Sequence, residues 1–172
     1  QLRKYFRNQN IEGYIVPKNN NFFGEYTKPY EDNLKYISNF SGSAGFAIIL
    51  KKKNYIFVDG RYTLQANKQC GNKFKIFTIP YKYPYKVFKK KINLGFDPRL
   101  HTENSLKRIF RNSPINLKPI NKNLIDLIWK RNKKIKLKTF YTLKKKDVGS
   151  SKKEKITRLL KELRINKADY IF

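Results

Sequence analysis

The chain has 172 residues, enough for one well-buried domain and the beginning of a second. Hydrophobic residues make up 40% of it and aromatic residues 15%, which excludes global disorder, and no apolar run approaches the roughly 18–20 residues that cross a bilayer. Forty Lys and Arg against twelve Asp and Glu give a formal charge of +28, while the single cysteine, Cys70, excludes an internal disulfide and a thiolate metal cluster. Along the chain, Leu2, Tyr5 and Phe6 share one helical face, and GYIV at 13–16 reads as a buried strand. A polar loop from Pro17 to Pro29 leads to a short helix in EDNLKYIS. FAIIL and YIFVD, joined by the basic turn KKKN, predict an antiparallel hairpin. GRYTLQANKQ reads as a helix that Asp59 or Gly60 would cap, KFKIFTI and INLGFD as strands, and ENSLKRIF as a helix with Thr102 at its N-cap. INLKPI then reads as a strand and NLIDLIW as a short apolar helix carrying Trp129. This alternation predicts an α/β fold, a mixed β-sheet flanked by helices.

After Trp129 the pattern changes. Between Asp126 and Asp147 stand nine basic residues and no acidic one, so 131–150 reads as a basic linker after a first domain over 1–130. At 151 a second unit begins, because Ser151 and Glu154 form a capping box ahead of Ile156, Leu159, Leu160 and Leu163 at helical spacing. A shift of 157 positions sets Leu2 on Leu159, Lys4 on Lys161, Arg7 on Arg164 and Glu12 on Asp169, so helix, turn and strand would recur, with ADYIF as the strand. With no methionine anywhere and an end inside that expected strand, the sequence reads as a fragment of a soluble, cytoplasmic protein.

The glycine-rich stretch FSGSAGFAII raises the question of a phosphate loop. Such a loop opens a helix and carries a Gly-Lys-Ser/Thr ending, whereas Gly45 opens a strand and no such ending follows. A dinucleotide fingerprint fails for the same reason. Gly42, Ser43 and Gly45 are therefore read as a tight turn that lets a helix pack closely on the hairpin.

Taken in order, YISNFSGSAGFAII, FVDGRYTLQA, LGFDPRLHT, NLIDLIW and DVGSSKKEKI resemble the N-terminal region of Xaa-Pro aminopeptidases, the aminopeptidase P branch of the creatinase and prolidase family. The likeness is to the longer, three-domain form, in which two similar N-terminal domains, with an RNase-H-like sheet in the first, precede a catalytic "pita-bread" domain. Three features depart from the pattern: Asn39 stands where glycine is usual, Asn33 where arginine is common, and RNKKIKLK replaces a proline-containing stretch. The resemblance implies two divalent metal ions, often manganese, that activate water to release the residue preceding a proline. Their ligands, two aspartates, a histidine and two glutamates, belong to the catalytic domain, and none of those motifs is found here.

The segment is therefore expected to be inactive alone, to shape access to the active site for short proline-containing peptides and to mediate contacts in a homo-oligomer, with a dimer as the expected form. Its motif residues, Gly42, Ser43, Gly45, Asp59, Gly60, Arg61, Tyr62, Asp97, His101, Asp126 and Trp129, are read as structural. Arg61 has a functional alternative, reaching a neighbouring subunit or substrate; Trp129 is read as an anchor for the closing helix. Two other classes compete with this reading. One is a nucleic-acid-binding module, or a nuclease using Asp59 and Asp97, supported by the charge and by Tyr81, Tyr83 and Tyr85 among lysines. Lys, Asn and Ile are spread evenly, however, as codon bias in an AT-rich genome would produce, which leaves only non-specific attraction to nucleic acid. The other is a stand-alone domain that has lost its catalytic half.

Overall fold

A computed structural model describes residues 1–24, 26–131 and 139–171. The chain divides into two compact units, Gln1–Lys133 and Lys134–Phe172. The first contains β1 (Gly13–Pro17), α1 (Asn33–Ser38), β2 (Gly45–Leu50), β3 (Asn54–Asp59), α2 (Thr63–Cys70), β4 (Lys75–Ile79), α3 (Pro84–Val87), β5 (Ile92–Phe96), α4 (Glu103–Phe110) and β6 (Ile115–Pro119). Its six strands form one sheet in the order β4-β3-β2-β1-β5-β6. β2 is antiparallel to both neighbours, in the expected hairpin with β3 and also against β1. The pairs β3–β4, β1–β5 and β5–β6 are parallel, which makes the sheet mixed and the class α/β.

Both faces of this sheet are covered, which explains why its central strands read as nearly unbroken apolar runs. Successive side chains point to opposite faces. Tyr14, Val16, Ala47, Ile49, Ile56 and Val58 pack with Leu2, Phe6 and Leu34 on one side, closed by Leu124 and Ile125. Ile15, Phe46, Ile48, Phe57 and Phe77 pack on the other, beneath Phe88, Leu106 and Phe110. On that second face Phe46 and Phe57 stack with centroids 4.9 Å apart, a pairing that adds about 0.5–1.5 kcal/mol to area burial.

Several sequence expectations give way locally. The first helix is a single 3-10 turn, Leu2–Tyr5, and GRYTLQANKQ divides into a 3-10 turn, Gly60–Tyr62, followed by α2. NLIDLIW is a run of turns instead of a helix: the Asn123 side chain accepts from the Ile125 N–H and from the Tyr14 hydroxyl, diverting the backbone where a helix would start. Pro84 occupies the first turn of α3, where its fixed φ and missing N–H cost nothing.

The second unit contains α5 (Lys145–Val148) and α6 (Lys152–Ile165). α6 opens with the predicted capping box, in which Ser151 Oγ accepts from Glu154 N–H and Ser151 N–H donates to the Glu154 carboxylate. The expected strand ADYIF does not form among the described residues, since an isolated extended segment has no ladder partner to hold it. No helix among the described residues is long and apolar enough to cross a membrane.

Candidate functional site at the carboxyl edge of the sheet

β1, β3, β4, β5 and β6 run the same way, so their carboxyl ends lie along one edge together with the start of β2. In open α/β sheets this is the edge at which loops gather functional groups. Three of the motif loops meet it: 40–45 entering β2, 59–62 leaving β3 and 97–101 leaving β5.

The first loop is a close-packed turn. A Cβ on Gly42 would stand 2.2 Å from the ring of Phe40, which is wholly buried, and one on Gly45 would stand 2.8 Å from the carbonyl oxygen of Phe57. Neither contact is tolerable for a larger residue. Ser43 Oγ and the Tyr62 hydroxyl share a 2.7 Å hydrogen bond, while the Tyr62 ring meets Phe40 edge-on at 5.9 Å. Ser41 Oγ accepts from Gln65 Nε2 at 2.9 Å and from Gln69 Nε2 at 2.8 Å, fastening the turn to α2. That fastening was missed in the sequence, although glutamines four apart on one helix face are its visible trace. Asn39 ends α1 at φ 65°, a left-handed cap that asparagine tolerates better than other side-chain-bearing residues, so its replacement of the usual glycine preserves the turn.

Asp59 is the last residue of β3 and Asp97 the first after β5, and each is followed two residues later by arginine. Asp59 Oδ1 accepts from Arg61 N–H at 3.0 Å and from Arg61 Nε at 2.9 Å, and these bonds hold the carboxyl below its ordinary range. Both residues are exposed, and the Arg61 guanidinium lies 5.5 Å from the Tyr62 ring centroid. Gly60 between them has only the Thr78 methyl near its missing Cβ, at 3.7 Å. At β5 the device is buried: Asp97 is 1% exposed, with Oδ1 accepting from Arg99 N–H and Nε and Oδ2 from Arg99 Nη2. The Asp97–Arg99 pairing had escaped the sequence reading, though DGR and DPR already show the common spacing.

His101 follows this second turn and sits edge-on to Phe96 at 5.7 Å. Its Nε2 is buried without a hydrogen-bond partner among the described residues, and burial pushes its pKa down to about 4, so the imidazole is neutral near pH 7. At the end of β1, Lys18 pairs with Asp32 at 2.5 Å with both side chains largely buried, and Asp32 also caps α1 through Lys35 N–H.

Asp126 and Trp129 lie elsewhere, in a strap over α1. Trp129 stacks on Tyr36 with centroids 4.5 Å apart and planes 8° off parallel, and the Arg131 guanidinium lies 4.9 Å from the indole centroid. Arg131 also pairs with Asp126 and donates from Nη2 to Asn33 Oδ1 at 2.7 Å. An arginine from the basic stretch thus meets the position where an arginine is common, and the remaining seven residues of that stretch, 132–138, lie outside the described residues. Deeper in the sheet the Tyr14 hydroxyl donates to Asn123 Oδ1 and is raised above the usual phenol range by burial.

As an acid–base or metal centre the edge is poorly equipped. Asp59 and Asp97 end strands three places apart, hence about 14 Å at 4.7–4.9 Å per strand, against the roughly 3.5–4 Å between ions in a two-metal site. Among the described residues no three His, Cys, Asp or Glu side chains converge to hold a metal ion. The residues of this edge therefore do not fit a metal pair; what they offer is a set of pre-positioned donors and rings.

The family model for the creatinase/prolidase N-terminal domain matches residues 1–126. A probable Xaa-Pro aminopeptidase P of Paracoccidioides brasiliensis is 31% identical over 179 aligned positions, which cover 98% of this chain and 29% of that protein. Another, from Coprinopsis cinerea, is 29% identical, covering 94% of this chain and 28% of that protein. The chain thus spans less than a third of the length of these curated relatives. Among solved structures, the X-prolyl aminopeptidase of Caenorhabditis elegans, described as a cytosolic enzyme with a di-nuclear active site, aligns with a TM-score of 0.69 at 24% identity, covering 98% of this chain and 31% of that one. The N-terminal domain of the cytoplasmic peptidase PepQ from Mycobacterium tuberculosis aligns over 74% of this chain and 95% of its own, with a TM-score of 0.57 at 17% identity. At these identities the two structures speak for the fold.

Proposed function

Because the chain belongs to the creatinase/prolidase N-terminal domain family, we propose that it is the non-catalytic front of a metal-dependent Xaa-Pro aminopeptidase, which releases the first residue of short peptides with proline at position two. Two divalent ions, with manganese the expected species, would be held by residues outside this chain. Within it, 1–130 is read as the first domain, 131–150 as a linker and 151–172 as the start of a second. The observation that carries the proposal is the carboxyl edge, where the 40–45 and 59–62 turns meet as fixed hydrogen-bonding groups and rings, Ser43 bonded to Tyr62.

Such an edge suits contact with another domain or subunit. Among the described residues Arg61 spends only Nε on Asp59, so its Nη groups are left for an incoming carboxylate or carbonyl, while Tyr62, Ser43 and the 59–61 turn fix its direction. The edge would narrow the entrance to the catalytic centre of a cytoplasmic homo-oligomer, favouring short peptides over folded proteins.

The test assays the 172-residue chain and a longer protein carrying it, each supplied with manganese and a peptide with proline second. The chain alone is expected to release nothing, and the longer protein to release the first residue. Turnover by the chain alone would overturn the non-catalytic assignment. In the longer protein, Arg61→Ala is expected to raise KM severalfold with kcat nearly unchanged; unchanged constants would remove Arg61 from substrate access.

A further inference from the structure

The second face of the sheet is not covered uniformly. Between α3, α4 and β6 runs an open groove of about 1050 Å³. Its floor is apolar: Leu106 and Phe110 come from α4, and Ile115 and Leu117, two apart on the edge strand β6, present the same face. One wall is formed by Tyr83 and Tyr85, whose rings lie nearly parallel at 6.1 Å. The opposite wall carries Lys107, Arg108 and Arg111. Lys107 is engaged by Glu103 at 2.6 Å, whereas neither Arg108 nor Arg111 has a side-chain partner among the described residues. Among the described residues Glu103 is the only acidic one lining the groove, so the trough is apolar below and cationic at its rim.

We infer that this groove docks an acidic peptide segment of another protein, with aliphatic or aromatic side chains seated on the Leu106–Leu117 floor and flanking carboxylates meeting Arg108 and Arg111. Charge complementarity requires an anion at the rim, and the floor decides which kind. A nucleobase carries polar edges that Leu106, Phe110, Ile115 and Leu117 cannot satisfy, and burying them unpaired is costly. The tyrosine rings, already turned toward each other, offer bases less stacking surface than separated rings would. A leucine or phenylalanine side chain has no polar group to lose there, and arginine forks match carboxylates in two-point contact. This surface lies on a face of the sheet, apart from the carboxyl edge, and serves no step of the peptidase reading.

The inference is tested on the whole chain by fluorescence anisotropy, at physiological and at high salt, with a labelled peptide of alternating leucine and glutamate; a second peptide has glycine for leucine, and a single-stranded oligonucleotide serves as competitor. Binding of the leucine peptide that survives physiological salt is expected, at least tenfold tighter than the glycine peptide. Arg108→Glu with Arg111→Glu should weaken it more than tenfold, while Lys51→Glu with Lys52→Glu, which changes the net charge equally at the β2–β3 turn, should weaken it less than threefold. Equal losses in the two double variants, equal binding of the two peptides, absence of binding, or tighter binding of the oligonucleotide would each overturn the inference. The glycine peptide leaves the protein untouched, so this arm holds even where a charge reversal impairs folding.

Discussion

The two units meet the same sequence pattern with opposite outcomes. Leu2 in the opening turn is 3% exposed, packed against the sheet, whereas Leu159, its counterpart under the 157-residue shift, is 40% exposed on α6, and Ile156 and Leu160 beside it are 45% and 49% exposed. Amphipathic spacing thus reports which side of a helix is apolar and is silent on what covers it. In the first unit the cover is a sheet built from distant strands; α6 instead stands on local terms, its capping box and helix-forming residues.

Identical substitutions at the two leucines sharpen this contrast most. Leu2→Ala should cost about 2–5 kcal/mol in urea unfolding of the first unit, through lost transfer energy and a cavity, and Leu159→Ala under about 1 kcal/mol. Equal costs would mean that α6 is as well buried as the opening turn and would break the comparison.

Acid separates the units next. His101 is lowered from 6.5 to about 4 by burial, so between those values the unfolded state binds the proton first and stability falls as the pH falls. The full loss, complete below about pH 4, is on the order of 3 kcal/mol for such a shift. His101→Leu should flatten this part of the pH–stability curve; an unchanged slope would assign it to other groups. In the second unit Glu154 is held below its ordinary 4.5 by the Ser151 backbone N–H first and Lys145 next, so its support of α6 is present above that value and disappears as the pH falls through its lowered pKa. Helix content near 222 nm should therefore hold as the pH falls to about 4.5, through most of the His101 window, and decline below that value.

The smallest expected effect is Ser151→Ala, which removes half of the capping box and should cost α6 about 1 kcal/mol, read as reduced helicity with the sheet's unfolding midpoint unchanged.

How much of this was legible depended on how local each determinant is. Apolar runs and turn residues announced every strand of the sheet, because both of its faces are packed, and Thr102 and Ser151 cap α4 and α6 through bonds reaching only three residues. The short basic turn KKKN between two apolar runs also made the β2–β3 hairpin plain. NLIDLIW misled because its apolar spacing suits a helix, while the deciding bond joins Asn123 to Tyr14, 109 positions away. ADYIF has strand composition, but no strand among the described residues pairs with it. At the carboxyl edge, Asp59 with Arg61 and the glycine turn followed from adjacent residues, whereas Lys18–Asp32 and Arg131–Asn33 join segments whose proximity only the folded sheet creates.

The strap over α1 has a practical consequence. The chain's only indole, at Trp129, lies flat on Tyr36 and within reach of the Arg131 cation, and these described partners all belong to the first unit. Its emission is thus an optical gauge built into one half of the chain. Excitation at 295 nm follows the seating of the strap on α1 without added dye, and a solution of the whole chain can be watched for loss of the first unit while circular dichroism follows helix content.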